Sequence, residues 1–495
     1  MNIQHSEAKS ADAKGDHLRF AIIGAGMSGI LTAIKLREAG YNNFTIYEKA
    51  AKLGGTWREN TYPGLACDVP SHLYRYAFEP NPEWSRMFSP GQEIWEYFDG
   101  VAEKYDVKPV IQYNKDVTKT EYKDGKWHLE MADGDSDTVD FVIAATGILH
   151  HPAFPDIEGI GSFEGPSFHS AQWDHEVSLK GKRVGIIGTG STAIQIVPAI
   201  IDEVENVSLF QRTPQWVLPL PNPVFSEDER EAFRTTPELV ESAYCEARDH
   251  FAGSFSEAVI GDEYQKAEID RRCRANLENV EDPVLREKLT PNYQAMCKRL
   301  IMSDDFYPAI QRSNADLVTE GIERIEANGV RTKDGVLHEL DVLVIATGFD
   351  GHAFTGPMNI VGRNGVTLAE TWADAKEAHR AVSVPDFPNF FMLVGPNSPI
   401  GNFSVILISE TQVDYIMQLI DLVRDGECRE IAPKKEAADK FNADIKEAMK
   451  STIWVSGCSS WYIDKNGNPA MWPWSFNRFV EDMKQPILDE YEMNG

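Results

Sequence analysis

Two stretches of this chain carry the same punctuation, and that repetition limits the fold more than any other feature. A short apolar run at 19–23 leads into Gly24-Ala25-Gly26-Met27-Ser28-Gly29, and residues 30–39 then show helical periodicity that stops at Gly40. A second run at 182–187 leads into Gly188-Thr189-Gly190-Ser191-Thr192-Ala193. Small residues at these positions permit a tight turn, close approach of a pyrophosphate and close helix–strand packing, while the helix N-terminus faces the anion. Each unit has a following strand, Phe44–Glu48 and 207–211. Each is closed later by a buried strand that ends in Ala-Thr-Gly, 139–144 before Ala145-Thr146-Gly147 and 340–345 before Ala346-Thr347-Gly348. The reading is an α/β chain of two nested Rossmann-like dinucleotide-binding domains with a helical insertion.

The residue that ends the second strand separates the two units. Glu48 stands twenty-four residues after Gly24, where an acid accepts hydrogen bonds from a ribose diol. Arg212 stands twenty-four after Gly188, where a guanidinium grips a 2′-phosphate that an acid would repel; Thr213 adds a hydroxyl. The bland alternative for Arg212 is a solvated surface arginine; its place in the unit favours the phosphate. FAD is therefore assigned to the first unit, through Gly24, Gly26, Met27, Ser28, Gly29 and Glu48. NADPH is assigned to the second, through Gly188, Thr189, Gly190, Ser191, Thr192, Ala193, Arg212 and Thr213.

With 495 residues the chain exceeds one core, and the punctuation divides it. Residues 1–17 are expected to form a disordered polar lead-in, and 18–150 the first part of the FAD domain. Residues 151–220 would form the linker and first part of the NADP domain, 221–295 a helical insertion, and 296–345 the second part of the NADP domain. Residues 346–495 would complete the FAD domain and supply C-terminal pocket loops. A helix is expected over 405–422, and the last sixty residues read as turns and aromatics. Asp and Glu outnumber Lys and Arg by 77 to 48, a net charge of −29 that argues against nucleic acid or anionic membrane as a partner. The most apolar stretch, 390–409, is broken by Pro396, Asn397, Pro399 and Gly401, so it reads as strand, loop and helix start, not a membrane span. The six cysteines are scattered without C-x-x-C or metal-type spacing, so no disulfide scaffold, dithiol centre or metal site is expected. His150-His151 before Pro152 reads as a linker turn. A cytoplasmic monomer or homodimer is the expectation.

Further motifs narrow the reading. Gly54-Gly55-Thr56-Trp57 is followed by Tyr62-Pro63-Gly64-x-x-x-Asp68, and Phe163-x-Gly165-x-x-x-His169-x-x-x-Trp173-Asp174 lies between the two units. Both stretches resemble the signature motifs of type I Baeyer–Villiger monooxygenases, and Met296-Cys297-Lys298-Arg299 resembles the segment carrying that family's active-site lysine–arginine pair. The resemblance runs from about Arg19 to Trp472. It implies Gly55, Thr56, Trp57 and Asp68 along the flavin, Tyr74 close by, and Val117 giving backbone contacts to the adenine. It also implies a helix starting at Val405 with its N-terminus toward the flavin, and Gln195 on the NADP pyrophosphate side. Lys298 would join Arg212 on the 2′-phosphate, and Arg299, paired with Asp68, would serve both catalysis and the NADP site. His169 and Trp173 would act in the interdomain linker. The chain departs from the family at Leu300, where proline is common, and at Trp474, where glycine is usual; both are expected near the substrate pocket.

The implied reaction is NADPH- and O2-dependent insertion of one oxygen beside a ketone carbonyl, through a C4a-peroxyflavin, to give an ester or lactone. Arg299 suits it because a guanidinium stays charged at any working pH. Asp68 and Arg299 are otherwise readable as a structural ion pair. The aromatic run from Trp454 to Trp474 fits pocket lining and core equally. Three other activities compete. A flavin monooxygenase acting on N or S atoms of small molecules needs no arginine for an oxyanion. A disulfide reductase needs a dithiol near the flavin, which the spacing does not offer. A non-catalytic nucleotide sensor has no use for Arg299.

Overall fold

The computed structural model describes residues 17–495 apart from 402, 459, 465, 468 and 469. The lead-in expected over 1–17 lies, except for His17, outside the described residues. Two five-stranded parallel sheets organise the rest. In the first, Phe20–Ile23 lies between Phe44–Glu48 and Phe141–Ala144, with Ile111–Tyr113 and Phe390–Met392 at the edges. In the second, Arg183–Ile187 lies between Asn206–Phe210 and Val342–Ile345, with Ala315–Val318 and Ser167–His169 at the edges. Ile22 stands between Ile46 and Ile143, and Ile186 between Leu209 and Val344. Apolar residues fill both faces of these strands because helices cover both sides of a parallel sheet. Each such side chain taken from water contributes about 1.5–3 kcal/mol.

Strand order places the sites. In both sheets the chain moves outward on one side of the central strand and later returns to its other side. This leaves a crevice at that strand's C-terminal end, where the glycine turn lies. Antiparallel layers flank the sheets, one built on Val117–Lys123, Lys126–Met131 and Ser136–Val139 and another on Ile322–Glu326, Gly329–Thr332 and Leu337–Glu339. The acidic segment after Ser226 folds into helices at Glu227–Thr235, Pro237–Phe251, Glu257–Ile260, Glu263–Leu277 and Pro283–Leu289. Its first helix carries a capping box from Ser226 and Glu229. No helix among the described residues is long and apolar enough to cross a membrane.

Three elements differ from expectation. Residues 139–144 are two strands, not one. Asp140 interrupts them by accepting hydrogen bonds from the Arg19 backbone N–H at 2.8 Å and Lys126 Nζ at 2.7 Å. The last sixty residues hold more than turns, because Lys435–Met449 is a helix that buries Ala438, Asn442, Ile445 and Met449 along one face. The scattered cysteines conceal a disulfide: Cys297 and Cys458, 161 residues apart in sequence, are bonded. Spacing along the chain gives no sign of a pair that only tertiary folding brings together.

Candidate active site

A single cleft of about 1610 Å³ runs between the sheets, and both glycine turns open onto it. Gly24 and Gly188 have φ of +104° and +121°, and a Cβ there would lie 2.6 Å from Ala145 O and 2.3 Å from Ala346 O. The two Ala-Thr-Gly strand ends thus press against the two turns, which only glycine allows. Gly190, by contrast, has nothing within 4 Å of an added Cβ, and Gly26 only the Gly55 backbone. The backbone there borders open cleft. Helices Met27–Glu38 and Ser191–Ile200 start at these glycines without side-chain caps, as does Val405–Arg424 at Ser404. Among the described residues their leading N–H groups have no hydrogen-bond partner, which suits a bound anion. The cradles therefore fit two dinucleotides.

Of the residues singled out for FAD, Gly24, Gly26, Met27, Ser28, Glu48, Gly55, Thr56, Trp57, Asp68, Tyr74, Val117 and Val405 line the cleft. Gly29 does not. A Cβ on it would come within 1.9 Å of Gly24 O, so it sets the helix–strand distance instead. The Glu48 carboxylate is buried and held, accepting from Ala25 N and Ala50 N at 2.9 Å each and pairing with Arg58 at 3.1 Å. Trp57 Nε1 donates to the Tyr74 hydroxyl at 3.1 Å.

On the second unit, Gly188, Thr189, Gly190, Ser191, Thr192, Gln195, Arg212, Thr213, Lys298 and Arg299 line the same cleft, whereas Ala193 is wholly buried in packing. Arg212 is exposed, and neither it nor Lys298 has an ion-pair partner among the described residues. Burial, and then the neighbouring Arg212, pull the Lys298 ammonium below its ordinary pKa. Two adjoining cations without a carboxylate suit a bound dianion. Gln195 bridges the units, donating to Ala66 O and accepting from the Tyr62 hydroxyl, each at 2.9 Å.

Where the units meet, Arg299 donates to the Asp68 carboxylate. Asp68 raises the Arg299 pKa further against the pull of burial. About a third of the Arg299 side chain (34%) is accessible, but what it faces is the cleft rather than bulk solvent. His169 and Trp173 line another cavity, of about 900 Å³, which shares Phe154 and Pro155 with the main cleft.

Sequence reading missed two features here. Tyr462, in the aromatic run, is buried at 3% exposure, and the Cys297–Cys458 bridge lies two residues in sequence from Arg299. The bridge does not line the cleft, so it does not meet a disulfide reductase's need for a dithiol against the flavin. The aromatic run divides: Trp454 and Trp472 are 1% exposed and belong to the core, while Trp461 lines the cleft. Neither departure from the family pattern lines it. Leu300 is buried among apolar side chains, and Trp474 packs on the Trp472 ring with the Arg478 guanidinium 3.8 Å from its centroid.

Two glycine cradles and an acid–arginine pair facing one cleft define a two-dinucleotide flavin monooxygenase. The flavin-binding monooxygenase-like family model matches residues 17–226. An uncharacterized monooxygenase of Mycobacterium tuberculosis is 48% identical, covering 96% of this chain and 95% of its own length. A Baeyer–Villiger monooxygenase of Streptomyces coelicolor is 38% identical, covering 97% and 93%. The crystal structure of cyclohexanone monooxygenase from Rhodococcus sp. Phi1 bound to NADP+ superposes with a TM-score of 0.87 at 28% identity, covering 97% of this chain and 99% of that one. The chain belongs to the Baeyer–Villiger monooxygenases, the type I enzymes that use FAD and NADPH.

Proposed function

We propose that the substrate is a small ketone and that Arg299, anchored by Asp68, directs oxygen to its carbonyl. The observation that carries this reading is the Asp68–Arg299 pair, which joins the two units and lines the cleft onto which both cradles open. When bound, NADPH reduces FAD, and the reduced flavin activates dioxygen for insertion. The chain's residues do the rest. Glu48 would take the FAD ribose, and Arg212 with Lys298 the 2′-phosphate of NADPH. Arg299 would hold a permanent positive charge against the negative charge that builds on the carbonyl oxygen. A preorganised cation in a low-dielectric site stabilises such charge without reorganising. Asp68 would fix the guanidinium plane and moderate its charge, and Trp57, Tyr74 and Trp461 would exclude water.

The test is NADPH oxidation with linear, cyclic and aryl ketones, with products identified by mass spectrometry. Ketone-dependent turnover yielding esters or lactones is expected. Turnover of thioethers or amines with every ketone inert would favour the N- and S-oxidising reading instead.

A further inference from the structure

We propose that Lys333 is a further specificity-determining residue: a third cation for the 2′-phosphate of NADPH, supplied by a hairpin turn of the layer that flanks the second sheet. The inference rests on the role proposed above for Arg212 and Lys298. Charge pairing in the cleft singles this residue out. Among the described residues, Arg58, Lys115 and Arg299 line the cleft and are each held by an acid. Four other cations line it without an ion-pair partner among the described residues: Lys49 on the first unit, and Arg212, Lys298 and Lys333 on the second. In a chain of net charge −29, acids are plentiful. Three cations left without them on one unit mark a place where a ligand supplies the opposite charge.

Sheet topology brings Lys333 to the side of Arg212. Asn206–Phe210 and Ala315–Val318 are parallel neighbours with Phe210 opposite Val318, and the Gln211 N–H donates to Val318 O at 2.8 Å. The two segments therefore leave the sheet together, Arg212 beside Thr319. In a dinucleotide fold the space beyond these strand ends takes the adenosine half. Thr319, Glu320 and Gly321 line the cleft there. Lys333 joins this wall from the turn after Gly329–Thr332. Its N–H donates to Gly321 O at 2.8 Å, and Asp334 fixes the turn by accepting from Thr332 Oγ1 at 2.6 Å and Val336 N at 3.2 Å. The lysine stem lies on Gly321. Its Cδ, Cε and Nζ are 3.3, 3.5 and 3.8 Å from where a Cβ at 321 would stand, so glycine there leaves the stem its path. Glu320, on the same wall, forms no ion pair with Lys333 among the described residues. The backbone of Lys333 is thus anchored while its exposed side chain stays uncommitted.

The experiment is equilibrium binding, with no ketone and no turnover. FAD-loaded wild type, Lys333→Ala, Lys333→Arg and Arg212→Ala are titrated with 2′,5′-ADP and with 5′-AMP, at low and at high salt. The two probes share the adenosine and the 5′-phosphate, and only the first carries a 2′-phosphate. Lys333→Ala should weaken 2′,5′-ADP by about two- to fivefold, the size of an exposed ion pair, and leave 5′-AMP unchanged. It should also make 2′,5′-ADP binding less sensitive to salt, because one screened attraction is gone. Lys333→Arg should keep the wild-type preference for 2′,5′-ADP. Equal loss for both probes in Lys333→Ala, or loss for neither, would overturn the inference. Arg212→Ala separates this inference from the reading beneath it. A preference lost in Arg212→Ala but intact in Lys333→Ala would refute the role of Lys333 alone, whereas a preference intact in Arg212→Ala would refute the assignment of the 2′-phosphate to this wall.

Discussion

The two nucleotide units of this chain share a backbone and differ in charge. In both, a glycine of positive φ turns the chain beneath an Ala-Thr-Gly strand end, and an uncapped helix starts at the second glycine. At matched offsets stand Glu48, buried and clamped by Arg58 and two backbone N–H groups, and Arg212, exposed beside Lys298 with no acidic partner among the described residues. The backbone cradle, common to both, is suited to a pyrophosphate; the side chain at the end of the second strand distinguishes the nucleotides. The units also differ in tightness. The first has no room for a methyl group at Gly29, while the second carries one at Ala193.

Three changes would break or sharpen that contrast. The largest effect is expected from Gly29→Ala. Its Cβ meets a backbone oxygen that cannot move aside, a strain of about 1–3 kcal/mol or more. The flavin-to-protein absorbance ratio should collapse, whereas Ala193→Gly should cost only about 1 kcal/mol of helix propensity and leave NADPH turnover near normal. Next, Arg212→Ala should raise the KM for NADPH by about 10- to 100-fold, the worth of a charge-assisted contact, and leave that for NADH unchanged. Equal effects on both nucleotides would break the charge argument. The smallest effect is a pH dependence. Lys298 has a lowered pKa, so it loses its charge earlier than an ordinary lysine as pH rises. The preference for NADPH over NADH in kcat/KM should therefore fall on the alkaline side by a few-fold. Lys298→Arg should flatten that fall, because a guanidinium stays charged.

Local features of the chain were legible where a mechanism forces residue identity. Gly24, Gly188, Glu48 and Arg212 were readable because a turn, a close approach and a charge each demand a residue type. The helix at Lys435–Met449 was masked by the aromatic and turn residues downstream, although its buried positions recur at helical spacing. The short strands between Ile322 and Glu339 carry too many charges to show an apolar pattern. The Cys297–Cys458 bridge was invisible for another reason. It joins positions 161 residues apart in sequence, and no local pattern encodes which distant residue a side chain will meet. The Leu300 side chain is not among those lining the cleft although Arg299 and Ile301 beside it are, because position in a motif does not tell which way a side chain faces.

The role of Arg299 is tested most directly by following the electrons of NADPH in Arg299→Ala with a ketone that the wild type oxygenates. The account predicts flavin reduction at the ordinary rate, ester formation lower by about 10²–10³-fold, and the electrons recovered almost wholly as hydrogen peroxide. Ester recovered in the wild-type proportion would contradict it.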